Sequence, residues 1–179
     1  MPRRQRSNME TKTNNNQNAE PKTAKIAVIR VRGDVGLHPR VRTAFRILKL
    51  YKKNYCIIIN NSPSLIGTLK TIKDHVTFGE LDKDTFLKLL EKKARLPGDE
   101  QLTEEYLKQK TKMDFKQFTD GFFSFKTELK DVPGMKTFFR LHPPIGGFER
   151  GGIKKGFAEG GALDYRGKEI NRLILRMIN

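Results

Sequence analysis

Ile26-Ala27-Val28-Ile29-Arg30-Val31-Arg32 is a short apolar run that carries its cations at one end. Side chains alternate across a strand, so Ala27, Ile29 and Val31 share one face, and Ile26, Val28, Arg30 and Arg32 share the other. The residues after this strand set the kind of sheet it joins. Gly33-Asp34-Val35-Gly36 is a turn, Pro39 suits a first helical position, and Arg40–Leu50 takes a helical period. Val41, Ala44, Phe45 and Leu48 fall at i, i+3, i+4 and i+7, one core-facing stripe. Tyr55–Asn60 reads as a second strand, nearly continuous in apolar and β-branched residues. Asn61-Ser62-Pro63-Ser64 supplies cap chemistry for a short helix over about Ser64–Asp74, with Leu65, Leu69 and Ile72 on its inner face. Val76–Leu81 is a third strand, and Asp82–Leu96 a mixed-charge helix carrying Phe86, Leu87, Leu90 and Ala94. The order β-α-β-α-β with a helix behind it predicts an α+β fold: a small open sheet with helices on one face.

Leu96-Pro97-Gly98-Asp99 breaks the pattern. Short helices are expected over Thr103–Lys110 and Asp114–Phe123, the second carrying Phe115, Phe118, Phe122 and Phe123 as satellite core rather than as platforms for bases. Asp131-Val132-Pro133-Gly134 is a turn, and Lys136–Leu141 is extended. The 22 residues from Gly146 to Gly167 then hold eight of the chain's 15 glycines, with Arg150, Lys154, Lys155 and Arg166 spaced among them. Such a segment has few apolar side chains to bury and a high ordering entropy. A close-fitting partner is expected to order it, and the cations make that partner polyanionic. Lys168–Ile178 closes the chain as a helix with the stripe Ile170, Leu173, Ile174 and Met177, and with Arg172 and Arg176 on another face. Residues 1–24, with Asn14-Asn15-Asn16 and Arg3, Arg4 and Arg6, are expected to be disordered in isolation, as a solubilising tail or as a basic arm lying on RNA. The chain thus divides into a tail (1–24), a β-α-β-α-β-α core (25–96), and a helical, glycine-rich extension (97–179).

Lys and Arg number 36 against 20 acids, which gives +16 over 179 residues. That excess is far above what solubility requires and is the footprint of a nucleic-acid binder, with an anionic membrane surface as the competing reading. The charge is unevenly placed: +4 over residues 1–25, +8 over 26–75, −1 over 76–132 and +5 over 133–179. On the first helix Arg42, Arg46, Lys49 and Lys53 recur at i, i+4, i+7 and i+11, within roughly 60° of one another at about 100° per residue. Like charges so spaced are mildly destabilising, and no acid lies between Asp34 and Asp74 to relieve them. Phosphate binding therefore explains the row better than a merely solvated face. Arg30 and Arg32 at the strand end, and Arg40 at the helix start, join the same group of candidate RNA contacts. His142, wedged before Pro143-Pro144, is a rigid-turn residue first and an RNA contact second.

Catalytic and cofactor signatures are missing. Gly146–Gly161 contains no Gly-Lys-Ser/Thr triplet, and no helix opens directly behind it. One cysteine and the scattered His38, His75 and His142 cannot make a zinc cluster. Cys56 lies in an apolar run and reads as a small buried hydrophobe rather than a nucleophile. No catalytic residue, metal, cofactor or small-molecule substrate is expected. No apolar run approaches the ~18 residues of a membrane span, and the basic N-terminus lacks the apolar stretch of a signal peptide. A soluble, cytoplasmic protein is the expectation.

Two stretches resemble a known family. Arg30-Val31-Arg32-Gly33, His38-Pro39 and the basic helix are similar to the start of large-ribosomal-subunit protein thirty in its archaeal form, which eukaryotic numbering calls seven. Phe139-Arg140-Leu141-His142-Pro143-Pro144, Gly152-Ile153-Lys154-Lys155, Gly160-Gly161, Tyr165-Arg166-Gly167 and Ile170-Asn171 resemble the second half of that long form. The resemblance covers about residues 25–179, whereas the short bacterial form would end near residue 81. It implies a three-stranded antiparallel, ferredoxin-like sheet with strand one in the centre. It also implies a non-catalytic protein on large-subunit rRNA near the 5S region, beside neighbouring ribosomal proteins. Asp164 stands where the family commonly has a glycine before Tyr-Arg-Gly, and the Asn-rich tail matches no pattern of the family.

The function expected is that of a structural rRNA-binding protein of the large subunit. Arg30, Arg32, Arg40, Arg42, Arg46, Lys49, Lys53, His142, Arg150, Lys154, Lys155 and Arg166 are its candidate contacts, positioning the protein on phosphates rather than reading sequence. A free-standing RNA-binding regulator or chaperone is the alternative. An enzyme acting on a phosphorylated ligand, or a peripheral membrane protein, has less in its favour.

Overall fold

β1 (Lys25–Arg30) lies at the centre of the sheet and is apolar on both faces, so it needs cover on both. The computed structural model describes residues 24–178; the tail expected over residues 1–24 lies outside them, save Ala24. After β1 come α1 (Pro39–Ile47), β2 (Tyr55–Asn60), α2 (Pro63–Ile72), β3 (Val76–Glu80) and α3 (Lys83–Lys93). The extension adds α4 (Glu104–Thr111), α5 (Phe115–Phe123), β4 (Phe138–Arg140), β5 (Asp164–Tyr165) and α6 (Glu169–Met177).

The sheet corrects the three-stranded expectation: it is mixed and five-stranded, in the order β4-β2-β1-β3-β5. β1 pairs antiparallel with β2, Val28 opposite Ile57, and with β3, Val28 opposite Phe78. The extension supplies both outer strands. β4 pairs antiparallel with β2, Cys56 opposite Phe139, and β5 pairs parallel with β3, Thr77 opposite Asp164. At three and two residues, neither strand is long enough to show an alternation of its own.

Helices cover both faces of the sheet, not one. Val28, Ile57 and Val76 pack with Ala44 and Phe45 of α1 and with Leu69 and Ile72 of α2. Ala27, Ile29 and Cys56 face the other way, into a larger core with Phe86, Leu89 and Leu90 of α3, Phe118 and Phe122 of α5, and Ile170, Leu173, Ile174 and Met177 of α6. The predicted stripe of α6 is the buried one, and Leu89 rather than Leu87 faces inward on α3. Cys56 is fully buried, and desolvation pushes its thiol up to about 12. Asn171 is buried as well and joins three elements: its side-chain amide donates to the Glu80 carbonyl at 3.0 Å and its Oδ1 accepts from the Asp82 N–H at 2.9 Å.

α1 begins as expected and ends early. Pro39 takes the first turn, and Nδ1 of His38 accepts from the Arg40 N–H at 3.3 Å. At the other end the Leu50 N–H reaches the Phe45 carbonyl at 2.9 Å and the Lys49 N–H reaches Arg46 at 3.1 Å, with Lys49 left-handed at φ 56°. These are the two bonds of a Schellman stop, with a lysine where glycine is usual. Helical periodicity therefore ends before Lys49, and the expected row of four cations is a row of two, Arg42 and Arg46.

Candidate nucleic-acid interface

Two of the predicted contacts are internal. Arg30 is 1% exposed. Its Nη1 donates to the carbonyls of Leu50 (2.7 Å) and Tyr51 (3.0 Å), its Nε to Arg32 (2.9 Å), and its Nη2 to the Asp34 carboxylate (2.6 Å), while the guanidinium lies over the Phe45 ring. A buried guanidinium needs that full set of acceptors, and meeting it removes Arg30 from any surface. Arg166 is 5% exposed and forks onto Glu149 at 2.8 and 3.1 Å, while its Nε donates to Thr77 Oγ1 at 2.8 Å and its Nη2 to the Ala162 carbonyl at 3.1 Å. It ties the glycine-rich segment to β3. Burial draws the Glu149 carboxyl upward, but the Arg166 hydrogen bonds, its own backbone N–H and the charges of Arg166 and Arg176 together hold it below the ordinary value.

The glycine-rich segment is also more closed than its composition suggests. It hydrogen-bonds to itself, Gly151 N–H to Gly160, Ala162 to Gly152 and Leu163 to Lys155, all within 3.2 Å. At Gly161 a Cβ would meet the Lys155 carbonyl oxygen at 2.2 Å, so this glycine serves an internal crossing rather than an approach by RNA. Arg176 of α6 donates to the carbonyls of Ile145 (2.8 Å) and Gly147, anchoring the start of the segment.

The remaining candidates are outward and gather in two places. Arg42 and Arg46 line a cavity of about 330 Å³ with Arg30, Asp34, Phe45 and Tyr51. Arg32 and Lys53 line a groove of about 430 Å³ with Pro143, Phe148 and Ile153, which brings the end of β1 against the glycine-rich segment. His142, Arg150, Lys154 and Lys155 are exposed on that segment and its approach. The turn Tyr51–Asn54 contributes a wall to each hollow and is pinned from two sides, by the Asn54 N–H on the Arg30 carbonyl (2.7 Å) and the Leu141 N–H on the Asn54 carbonyl (3.0 Å). Two candidates stand apart. Arg40 opens onto the groove between α1 and α2, and Lys49 reaches toward β4, where its Nζ donates to Thr137 Oγ1 at 3.1 Å. Beside the β1 end, burial and then Arg32 hold the His75 imidazole below its usual value, so no further cation is added there near neutral pH.

Some cations of α3 and the extension meet acids: Lys83 with Asp120, Lys108 with Glu104 and Asp114, Lys136 and Arg140 with Asp99. Among the described residues no ion pair engages Arg40, Arg42, Arg46, Lys49, Lys52, Lys53, Arg150, Lys154 or Lys155. Also among the described residues, no helix is long and apolar enough to cross a membrane, and no group of three or more His, Cys, Asp or Glu could hold a metal. Tyr51 is absent from the sequence reading because it falls between a helix and a strand, where no periodicity marks it.

Comparison with known proteins gives the family. The family model described as ribosomal protein L30p/L7e matches residues 26–76, from β1 to the start of β3. The large ribosomal subunit protein uL30 of Methanopyrus kandleri is 48% identical over 149 residues, 83% of this chain and 100% of that protein. Those of Methanococcus maripaludis (42% over 152 residues, 85% of this chain and 98% of that one) and Nanoarchaeum equitans (41% over 155 residues, 87% and 99%) are similar along the same extent. Identity of that degree across both the core and the extension shows that this chain belongs to the ribosomal protein L30p/L7e family.

Proposed function

We propose that this protein is a structural constituent of the large ribosomal subunit, in the cytoplasm, which binds and stabilises large-subunit rRNA. The observation that carries the interface is the set of unpaired cations around the end of β1. Arg42 and Arg46 flank one side of the Tyr51–Asn54 turn; Arg32, Lys53, Arg150, Lys154 and Lys155 flank the other, with His142 beside them as a hydrogen-bonding group. A surface rich in unpaired cations, where Asp34 is already paired with Arg30, fits the phosphate backbone, and such contacts position a protein rather than read a sequence. Arg40 and Lys49 extend the same field on α1 and beyond its end. Arg30 and Arg166 act from inside, by holding the turn and the glycine-rich segment in place. The near-neutral surface of α3 to α5, where cations and acids are mixed, suits neighbouring proteins, and the family resemblance supports a position near the 5S rRNA.

Sedimentation of native lysate through a sucrose gradient, following this chain by mass spectrometry, tests the reading. Retention in the large-subunit peak at moderate and high salt is expected. Release into light fractions at moderate salt would instead favour a free RNA-binding regulator. Crosslinking within the isolated subunit tests proximity to 5S rRNA.

A further inference from the structure

Tyr51 is an aromatic side chain with no place in either core, and it is 49% exposed. It is nonetheless held. Its carbonyl accepts from the buried Arg30, and its ring stands edge-on to Phe138, centroids 6.0 Å apart at 86°. Phe138 is itself stacked on Tyr55 at 5.0 Å and 9°. Backbone and ring are thus ordered before any ligand arrives, which lowers the entropy cost of binding. Tyr51 lines the cavity of about 330 Å³ whose other lining includes Arg42 and Arg46, both free of ion pairs among the described residues. Asp34, on that lining too, already pairs with Arg30, so the attraction for an anion lies at the α1 wall.

From this juxtaposition we infer that Tyr51 is a stacking platform for one unpaired RNA base, with Arg42 and Arg46 on the phosphates beside it. The inference rests on the rRNA reading above and adds a base contact to an interface otherwise made of phosphate contacts. RNA offers splayed bases at loops and bulges, and an aromatic ring beside guanidinium groups is what receives them. An acidic peptide would use the two arginines and leave the ring idle.

The chain has no tryptophan, so Tyr51→Trp gives the full-length protein a single tryptophan, placed at this site and excited apart from the tyrosines. The probes are an oligoadenylate of about eight nucleotides, within the usual site size, and an abasic ribose-phosphate oligomer of the same length and charge. Oligoadenylate should quench the Tyr51→Trp emission and the abasic oligomer should not. Tyr51→Ala should weaken oligoadenylate binding about tenfold, leave abasic binding and the salt slope unchanged, and be rescued by Tyr51→Phe. Equal quenching by both oligomers, or no quenching by either, overturns the platform, as does wild-type affinity of Tyr51→Ala for oligoadenylate. If the wild-type chain binds neither oligomer nor deproteinised large-subunit rRNA, the rRNA reading falls with it. Binding of rRNA that is indifferent to Tyr51 removes the platform alone.

Discussion

Arg166 shows how a single residue can look like a contact and work as a brace. Its guanidinium holds Glu149, Thr77 and Ala162 at once, a fork that a lysine ammonium cannot reproduce. Arg166→Lys should therefore cost about 3 kcal/mol in urea unfolding, since it leaves Glu149 short of its partner. A loss well under 1 kcal/mol would show that the fork is not needed. Two residues away, Asp164 is left-handed at φ 70°, a conformation that glycine adopts without strain. Asp164→Gly should stabilise the protein by up to about 1 kcal/mol, as the relief of the left-handed strain slightly exceeds the added chain entropy. Gly79 has the opposite constraint. A Cβ there would meet the Gly167 carbonyl oxygen at 2.0 Å, so Gly79→Ala should destabilise by about 3 kcal/mol and unseat the turn into α6. Thermal melts of the two glycine variants give the signs directly.

Among the elements, α1 and the glycine-rich segment carry the interface by different means. α1 keeps Arg42 and Arg46 outward because Ala44 and Phe45 hold its other side on the sheet. Replacing both arginines by alanine should leave the circular dichroism spectrum unchanged and reduce the slope of log affinity for rRNA against log salt by about two. An unchanged slope would take α1 out of the interface. The glycine-rich segment depends on its latch to β3. The Glu149 carboxyl titrates below its ordinary value of 4.5 in the folded protein. The latch's contribution is thus complete above that value and is lost as the pH falls through the lower, folded one. Stability of the wild type should drop more steeply below about pH 4.5 than that of Glu149→Gln, as read from urea midpoints across pH 3 to 6. Parallel curves would mean that the pair contributes nothing.

For the molecule as a whole, the extension is built into the core's own sheet. β4 and β5 close its two edges, and α5 and α6 cover the face of Ala27, Ile29 and Cys56. A fragment ending at residue 96 would keep only α3 on that face and would expose both edges, so it should aggregate or stay unfolded, whereas the full chain should melt in one transition. A soluble, cooperatively folded fragment would contradict this. Local pattern was enough to reveal the central strands, the α1 and α6 stripes, the start of α1 at Pro39, the cap chemistry around Ser62, the aromatic core of α5 and the cationic bias of residues 26–75. Each of these depends on neighbours within a few positions, which is the range over which periodicity, capping and charge can be counted. The pairing of the extended segment at β4, the strand β5, the cover on the second face, the burial of Arg30 and Arg166 and the stop at Lys49 depend on partners 20 to 90 positions away or on a turn geometry that an ordinary lysine conceals. An arginine in a sequence is only a charge. Whether it meets phosphate or a buried carboxylate is settled by the groups that folding brings to it, because a guanidinium leaves water only when enough acceptors replace it.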